Sequence, residues 1–305
     1  MRKKLLICFF LIVGLLLRAG TSKAGTVGVI ITRGSAFYEE IHSELAKNIA
    51  RKDGNVKFIV QRPYPDVVSW SNAARKLIAA DVDAIVAYGA AAASAVLRER
   101  PGVPVIYAGV YGPAAHQLKG RNLAGVYSPT PIASLLRYLR DTRQFETLGV
   151  IYNSLEEDSL SQFDELMVIG RKYGMKVAGI NLRRSPDIAS ILASVRVDAL
   201  YVTGCATAGA AYPTILNMTE YRKMPMVSLL YDKQKRAPIM LTPDPAEQGA
   251  AAADLLLKAL RRSSADGLGK VEGRRYLLIY NYRNSTSVGM RMSTGLVTDA
   301  TEVIY

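Results

Sequence analysis

A chain of 305 residues exceeds the usual ~100–150-residue domain and leaves room for two. Half of its residues are hydrophobic and 21% are charged, a globular composition that excludes intrinsic disorder, collagen and a disulfide scaffold. The formal net charge is +13, but Arg2, Lys3, Lys4, Arg18 and Lys23 fall in the first 24 positions with no acid among them, which leaves +8 for the rest.

Those first positions read as a cleaved export signal, residues 1–24. A basic start is followed by an apolar run over residues 5–17 and by Ser22-Lys23-Ala24, with small residues where a signal peptidase reads. An apolar run of 13 residues spans ~20 Å as a helix, short of the ~30 Å hydrocarbon core. Cys8 lies inside that run, so it is not a lipid-attachment cysteine. The chain from Gly25 onward keeps Cys205 as its one cysteine, which rules out an intrachain disulfide. The expected location is the periplasm, without a lipid anchor.

From there the chain repeats itself. Gly28-Val29-Ile30-Ile31 returns as Gly149-Val150-Ile151-Tyr152, 121 residues later. A helical stripe follows each: Tyr38, Ile41, Leu45 and Ile49 in the first, Phe163, Leu166 and Ile169 in the second. Gly54 and Gly174 mark the helix ends, and strands at 56–60 and 177–180 come next. Val82-Asp83-Ala84-Ile85-Val86 matches Val197-Asp198-Ala199-Leu200-Tyr201, and Val103-Pro104-Val105-Ile106 matches Met224-Pro225-Met226-Val227. Alternating strands and helices with fully apolar strands predict α/β units with parallel sheets. Two proline pairs, Pro129/Pro131 and Pro243/Pro245, each precede a helix that Thr130 or Asp244 can cap. They read as crossings between units; after a loop at 263–273, a strand at 276–280 crosses a third time. The expected architecture is two doubly wound parallel-sheet lobes joined by three hinge crossings. Lobe 1 is 25–127 plus 243–273, and lobe 2 is 128–242 plus 274–305.

Two such lobes enclose a cleft at the carboxyl ends of their strands. The organisation resembles the type I periplasmic binding protein fold. Within it, the chain resembles the ABC-transporter substrate-binding family that includes aromatic amino-acid binders. Leu148-Gly149-Val150-Ile151-Tyr152-Asn153-Ser154 and Val197-Asp198-Ala199-Leu200-Tyr201-Val202 carry the resemblance, supported by Val103–Ala108 and Glu247-Gln248-Gly249. The resemblance implies a soluble, monomeric solute-binding protein that serves ABC permease membrane subunits. The chain departs from the family pattern at Tyr111-Gly112-Pro113, at Thr203-Gly204-Cys205-Ala206-Thr207 and at Gly89-Ala90-Ala91-Ala92. The first two departures remove carboxylates that would pair with the ammonium of an amino acid.

Strand-end position selects the candidate ligand contacts. In the first lobe they are Ser35, Phe37, Tyr88 and Tyr111; in the second, Asn153, Ser154, Thr207, Tyr231 and Asp232. Ser35, Asn153 and Ser154 either touch a ligand or cap the next helix. The tyrosines either stack on a ligand ring or pack the cleft. The backbone N–H groups at 89–93 either approach a ligand or simply start a helix.

Nothing points to catalysis, a cofactor or a metal. His42 sits on a helix face and His116 in a connection, neither at metal-ligand spacing. Cys205 has no partner base and reads as a small cleft-lining or buried residue. Glu156-Glu157-Asp158 reads as a solvated helix start. The basic pairs are spread along the chain, unlike the clustered face that nucleic acid requires. The reading is a solute-binding protein that closes two lobes around a small organic solute. Its rival is a sensory or scaffold protein on the same fold with a degenerate pocket, signalling to a membrane receptor or sensor kinase.

Overall fold

The computed structural model describes residues 25–53 and 55–305, so the export signal expected over 1–24 lies outside the described residues. The first half alternates strand and helix as β1 (Gly25–Ile30), α1 (Ala36–Asp53), β2 (Val56–Gln61), α2 (Val67–Ala79), β3 (Ala84–Tyr88), α3 (Ala90–Arg98), β4 (Val105–Tyr111), α4 (Gly112–Gln117) and β5 (Leu123–Ser128). The second runs α5 (Ile132–Thr142), β6 (Thr147–Tyr152), α6 (Glu157–Lys172), β7 (Lys176–Asn181), α7 (Ile188–Ser194), β8 (Ala199–Val202), α8 (Ala206–Tyr221), β9 (Met226–Ser228) and β10 (Ile239–Pro243). Then come α9 (Pro245–Arg262), β11 (Lys270–Glu272), β12 (Tyr276–Asn281), α10 (Tyr282–Ser287), α11 (Thr294–Asp299) and β13 (Glu302–Ile304).

The strands form two sheets, ordered β11-β5-β4-β3-β1-β2 and β13-β12-β10-β9-β8-β6-β7. The repeat seen in the sequence is visible here as one winding order used twice, since β2-β1-β3-β4-β5 and β7-β6-β8-β9-β10 run through matching positions. The pairings are parallel except β10 with β12. The second sheet is therefore mixed rather than purely parallel. The antiparallel pair arises because β12 enters that sheet directly from a strand of the other one, with no crossover helix between.

Burial explains why these segments take these forms. The runs AIVAY in β3 and VIYAGVY in β4 are buried throughout, as strands covered on both faces must be. In α5, Ile132, Leu135, Leu136 and Leu139 recur at helical spacing and all point inward. One apolar core fills the first lobe, and two fill the opposite faces of the second sheet.

The chain passes between the sheets after β5, after β10 and after β11. These passages lie side by side and are bonded to one another. Gly273 N–H donates to the Tyr127 carbonyl at 2.7 Å, and Asp244 N–H to the Arg275 carbonyl at 2.9 Å. The fully buried Gln248 of α9 donates to Ser128 Oγ at 2.8 Å and accepts from Gly109 N–H at 3.1 Å. Asp244 caps α9 through Ala246 N–H at 2.8 Å. Thr130 does not cap α5: Pro131 takes the cap position, and the buried Thr130 hydroxyl has no partner. The loop expected at 263–273 also supplies a strand, β11, which joins the first sheet beside β5.

Thr242, fully buried in β10, likewise carries a hydroxyl without a partner. Burying a hydroxyl unpaired costs about 1–3 kcal/mol on mutational scales. Thr242→Val keeps the shape and removes that cost. Its unfolding midpoint in a thermal scan is expected to rise by about 2–4 °C.

Candidate functional site

The carboxyl ends of both sheets face each other, and the lobes touch there. Gly34, with φ +85°, follows β1 and comes so close to α8 that a Cβ on it would lie 2.9 Å from Ala210 Cα. Gly204 follows β8, and a Cβ there would overlap the ring of Tyr111 from the other lobe. The Tyr111 hydroxyl crosses to donate to the Leu229 carbonyl at 3.3 Å. The cleft is closed.

Its centre is filled by a buried polar network. Glu156, the residue before α6, accepts from Ala206 N–H at 2.8 Å, Thr207 N–H at 2.9 Å and Asn153 Nδ2 at 3.2 Å. It thereby satisfies the open donors at the start of α8. Asn153 also donates to Thr207 Oγ1 at 2.8 Å. Ser159 Oγ accepts from Asn153 N–H at 2.9 Å and lies 2.8 Å from Thr203 Oγ1. Asp158 reaches across the cleft, accepting from Tyr111 N–H at 2.8 Å and from Ala90 N–H at 3.1 Å. Glu156 and Asp158 are each only 4% exposed. The expected solvated helix start is therefore wrong for both, while Glu157 between them does face solvent. Acids favour a helix N-terminus whether it meets water or another lobe, so the local pattern is the same.

Burial sets the electrostatics. Desolvation raises Glu156 above the usual carboxylate range, against the hydrogen bonds that favour its charge. Desolvation also lifts Asp158 from 3.8 to about 7, opposed by its two N–H donors and aided by the charges of Glu156 and Glu157. Tyr38 projects from α1 toward the same point, its phenol pushed up first by burial and then by the two carboxylates. The Cys205 thiol is buried and pushed up to about 12, so it is no nucleophile at neutral pH.

Beside this network lies an open pocket of about 250 Å³. Gly34, Ser35, Ala36 and Phe37 line it from the first lobe. Gly209, Tyr212, Pro213 and Leu216 of α8 line it from the second, with the β9–β10 loop from Leu230 to Gln234 and Arg236. Pro213 has no N–H to give the Gly209 carbonyl four residues back, which leaves an acceptor there.

The nine residues chosen from strand-end position thus separate into groups. Ser35, Phe37, Tyr231 and Asp232 line the pocket. Ser35 also caps α1 through Tyr38 N–H at 3.5 Å, and Asp232 accepts from Gln234, Arg236 and Ala237 N–H groups. Tyr111 bonds across the cleft, to Asp158 through its N–H and to Leu229 through its hydroxyl, whereas Asn153 and Thr207 bond to each other and to Glu156 within the second lobe. Ser154 sits at the outer edge, its hydroxyl accepting from Asn181 Nδ2 at 3.0 Å. Tyr88 points into the first lobe's core, its hydroxyl 3.1 Å from His42 Nδ1, because its strand is covered on both faces. Sequence reasoning missed Tyr38, Tyr212, the two buried acids and the buried Gln162, whose side-chain oxygen accepts from Gly204 N–H at 2.9 Å. Glu156 and Asp158 lie close enough to the end of β6 for position to signal them, whereas Tyr38, Gln162 and Tyr212 lie within helices, where strand-end position gives no signal. Among the described residues no group of three His, Cys, Asp or Glu side chains could hold a metal, and no helix is long and apolar enough to cross a membrane.

The fit of Tyr111 on Gly204 yields a prediction. In Gly204→Val the new methyl groups occupy the ring's position. The lobes are expected to stay apart, with a larger radius of gyration by solution scattering than the wild type and little change in circular dichroism. An unchanged radius would show that Tyr111 can move aside.

Two lobes with one winding order, a closed cleft and a pocket shared between them define a binding protein of the type I periplasmic class. A family profile described as ABC transporter substrate binding protein matches residues 39–304, and the chain belongs to that family. A crystal structure of an ABC domain in complex with L-Trp from Streptococcus pneumonia superposes with a TM-score of 0.83, 19% identity, and coverage of 91% of this chain and 100% of that one. A conserved domain protein from Vibrio cholerae gives 0.86 at 18% identity, over 92% and 100%. The ligand-free, open structure of a substrate-binding protein from Clostridium difficile gives 0.62 at 19%, over 92% and 99%. A tyrosine-binding protein of Clostridioides difficile is 25% identical over 187 residues, 58% of this chain. The match spans 54% of that relative's length, so the chain matches about half of it.

Proposed function

We propose that this protein captures a small organic solute between its lobes in the periplasm and delivers it to an ABC permease. The lobes 25–127 plus 243–273 and 128–242 plus 274–305 move as bodies about the three crossings, and the protein acts as a monomer. The observation that carries this reading is the pocket lined from both lobes, which exists only when the cleft is closed. At about 250 Å³ it lies just below the ~300–1,000 Å³ usual for ligand pockets, which suits one ring with a short substituent. The tyrosine and tryptophan carried by relatives support an aromatic solute.

The test is thermal unfolding of refolded, ligand-stripped protein against amino acids, aromatic amines and acids, nucleosides and sugars. A solute at ~100 times its Kd adds about 2.7 kcal/mol and raises the midpoint by about 5–10 °C. Loss of that rise in Phe37→Ala and Tyr231→Ala would place the solute in this pocket. One observation favours the sensory or scaffold reading: Asp158 bonds the lobes together with no solute involved. A silent library and a solute-free protein that stays closed in scattering would shift the conclusion there.

A further inference from the structure

Tyr111 is the last residue of β4, a strand of the first lobe, yet its ring lies in the second. It is 3% exposed and belongs to the apolar core that also holds Val227, Leu229 and Leu278. Tyr88 and Tyr107, fully buried in the same sheet as β4, belong to the first lobe's own core. A side chain of one lobe is therefore a core residue of the other.

The second lobe has a seat shaped for that ring. The floor of the seat is Gly204, where a Cβ would lie 2.4 Å from the ring edge and from the hydroxyl. That glycine is pinned in place: its N–H donates to Gln162 Oε1 at 2.9 Å, and Gln162 Nε2 donates to its carbonyl at 3.5 Å. The far end of the seat is the Leu229 carbonyl, just past β9, which accepts from the Tyr111 hydroxyl at 3.3 Å. A flat apolar slot with one acceptor at its end suits a phenol, which has an apolar body and a polar tip. The backbone behind the ring is held by the same lobe, since Tyr111 N–H donates to Asp158 at 2.8 Å. These contacts exist only while the lobes are together. None of Tyr111, Gly204, Gln162 and Leu229 lines the open pocket beside them.

We propose that Tyr111 is a tethered occupant of this seat, an internal ligand on which the cleft closes without a solute. A tethered ring acts at an effective concentration on the order of millimolar, so the resting protein is held closed by its own side chain. A solute in the neighbouring pocket then adds stability to a state that is already populated. The latch is the same whether a permease or a sensor reads the closed state.

Detaching the ring tests it. Tyr111→Ala empties the seat, and p-cresol is the missing side chain as a free molecule. Solution scattering and thermal midpoints are compared for ligand-stripped wild type and variant, without and with about 5 mM p-cresol. The variant alone is expected to have the larger radius of gyration. p-Cresol should return that radius to the wild-type value and raise the variant's midpoint by about 3 °C. The wild type, whose seat is taken, should move by less than about 1 °C. A variant as compact as the wild type overturns the proposal, as does a variant that p-cresol fails to close or a wild type that responds equally.

Tyr88→Ala controls for an ordinary core cavity. It is expected to lose stability and keep the wild-type radius; opening equal to that of Tyr111→Ala overturns the latch. If Tyr111→Ala does not fold, Gly204→Val blocks the seat from its floor instead. Its radius is expected to exceed the wild-type value and to be unmoved by p-cresol. A wild-type radius, or compaction by p-cresol, overturns the proposal.

Discussion

Between pH 5 and pH 8 the solute-free protein is expected to lose roughly 2–3 kcal/mol of stability through Asp158 alone. The sign is opposite to that of a salt-bridged aspartate. Its carboxyl titrates near 3.8 when exposed and at about 7 in the closed fold, so the folded state holds the proton longer. Stability from this group is complete below the unfolded value and drains away as pH rises through the folded one. Glu156 and Glu157 beside it work in the same direction, and the Tyr111 and Ala90 N–H groups oppose it; Tyr38 and Tyr111, whose phenols burial pushes up, stay neutral over this range. Glu156, also raised, adds to the trend. His42 opposes it, because burial holds its imidazole below 6.5 and its contribution grows as pH rises. Subtracting the pH profile of Asp158→Ala isolates the aspartate. The wild-type midpoint should fall by about 5–10 °C over this range relative to the variant. Parallel profiles would mean that Asp158 is solvated in solution and the cleft open. The same linkage makes acidification favour closure, since a proton taken up at Asp158 relieves the burial of its charge.

Glu156→Ala should have an effect of similar size for a different reason. The variant strands Ala206 N–H, Thr207 N–H and one N–H of the Asn153 amide, each on a buried residue. Stranded donors cost about 1–3 kcal/mol each, partly offset by no longer burying a carboxylate. A net loss of about 3 kcal/mol lowers the midpoint by about 5–10 °C. Glu156→Gln keeps one accepting oxygen and should lose about half as much. The control is Glu157→Ala next door, whose side chain faces solvent and whose loss should stay within about 0.5 kcal/mol. Equal losses for the two alanine variants would show that the network does not support α8.

Much of the architecture was written in local patterns. Apolar runs such as Ala84–Tyr88 can only be strands buried on both faces. The repeat from Gly28 to Gly149 announced two units of one winding, and Pro243 and Asp244 marked a crossing with its capped helix. These features survive because each depends on neighbours within a few residues or on a pattern copied whole. The site was legible only as a set of strand ends. Of the residues chosen from them, Ser35, Phe37, Tyr231 and Asp232 line the pocket, Tyr111 bonds to the opposite lobe, and Asn153 and Thr207 bond to each other within the second lobe.

Orientation and partner were decided elsewhere. Tyr88 and Tyr111 both end strands, yet one ring turns under α1 toward His42 while the other lies on Gly204 of the opposite lobe. Glu156, Glu157 and Asp158 form one acidic run at one helix start, and only the middle residue meets water. The sequence by itself determined the duplicated α/β units and the strand ends from which the candidate residues were drawn. Tertiary structure alone decided that two of those carboxylates are buried, with neutral donors brought from residues about 50 and 70 positions away. A charge preference at a helix N-terminus is local and readable, whereas the dielectric around it depends on which surface the rest of the chain folds against it.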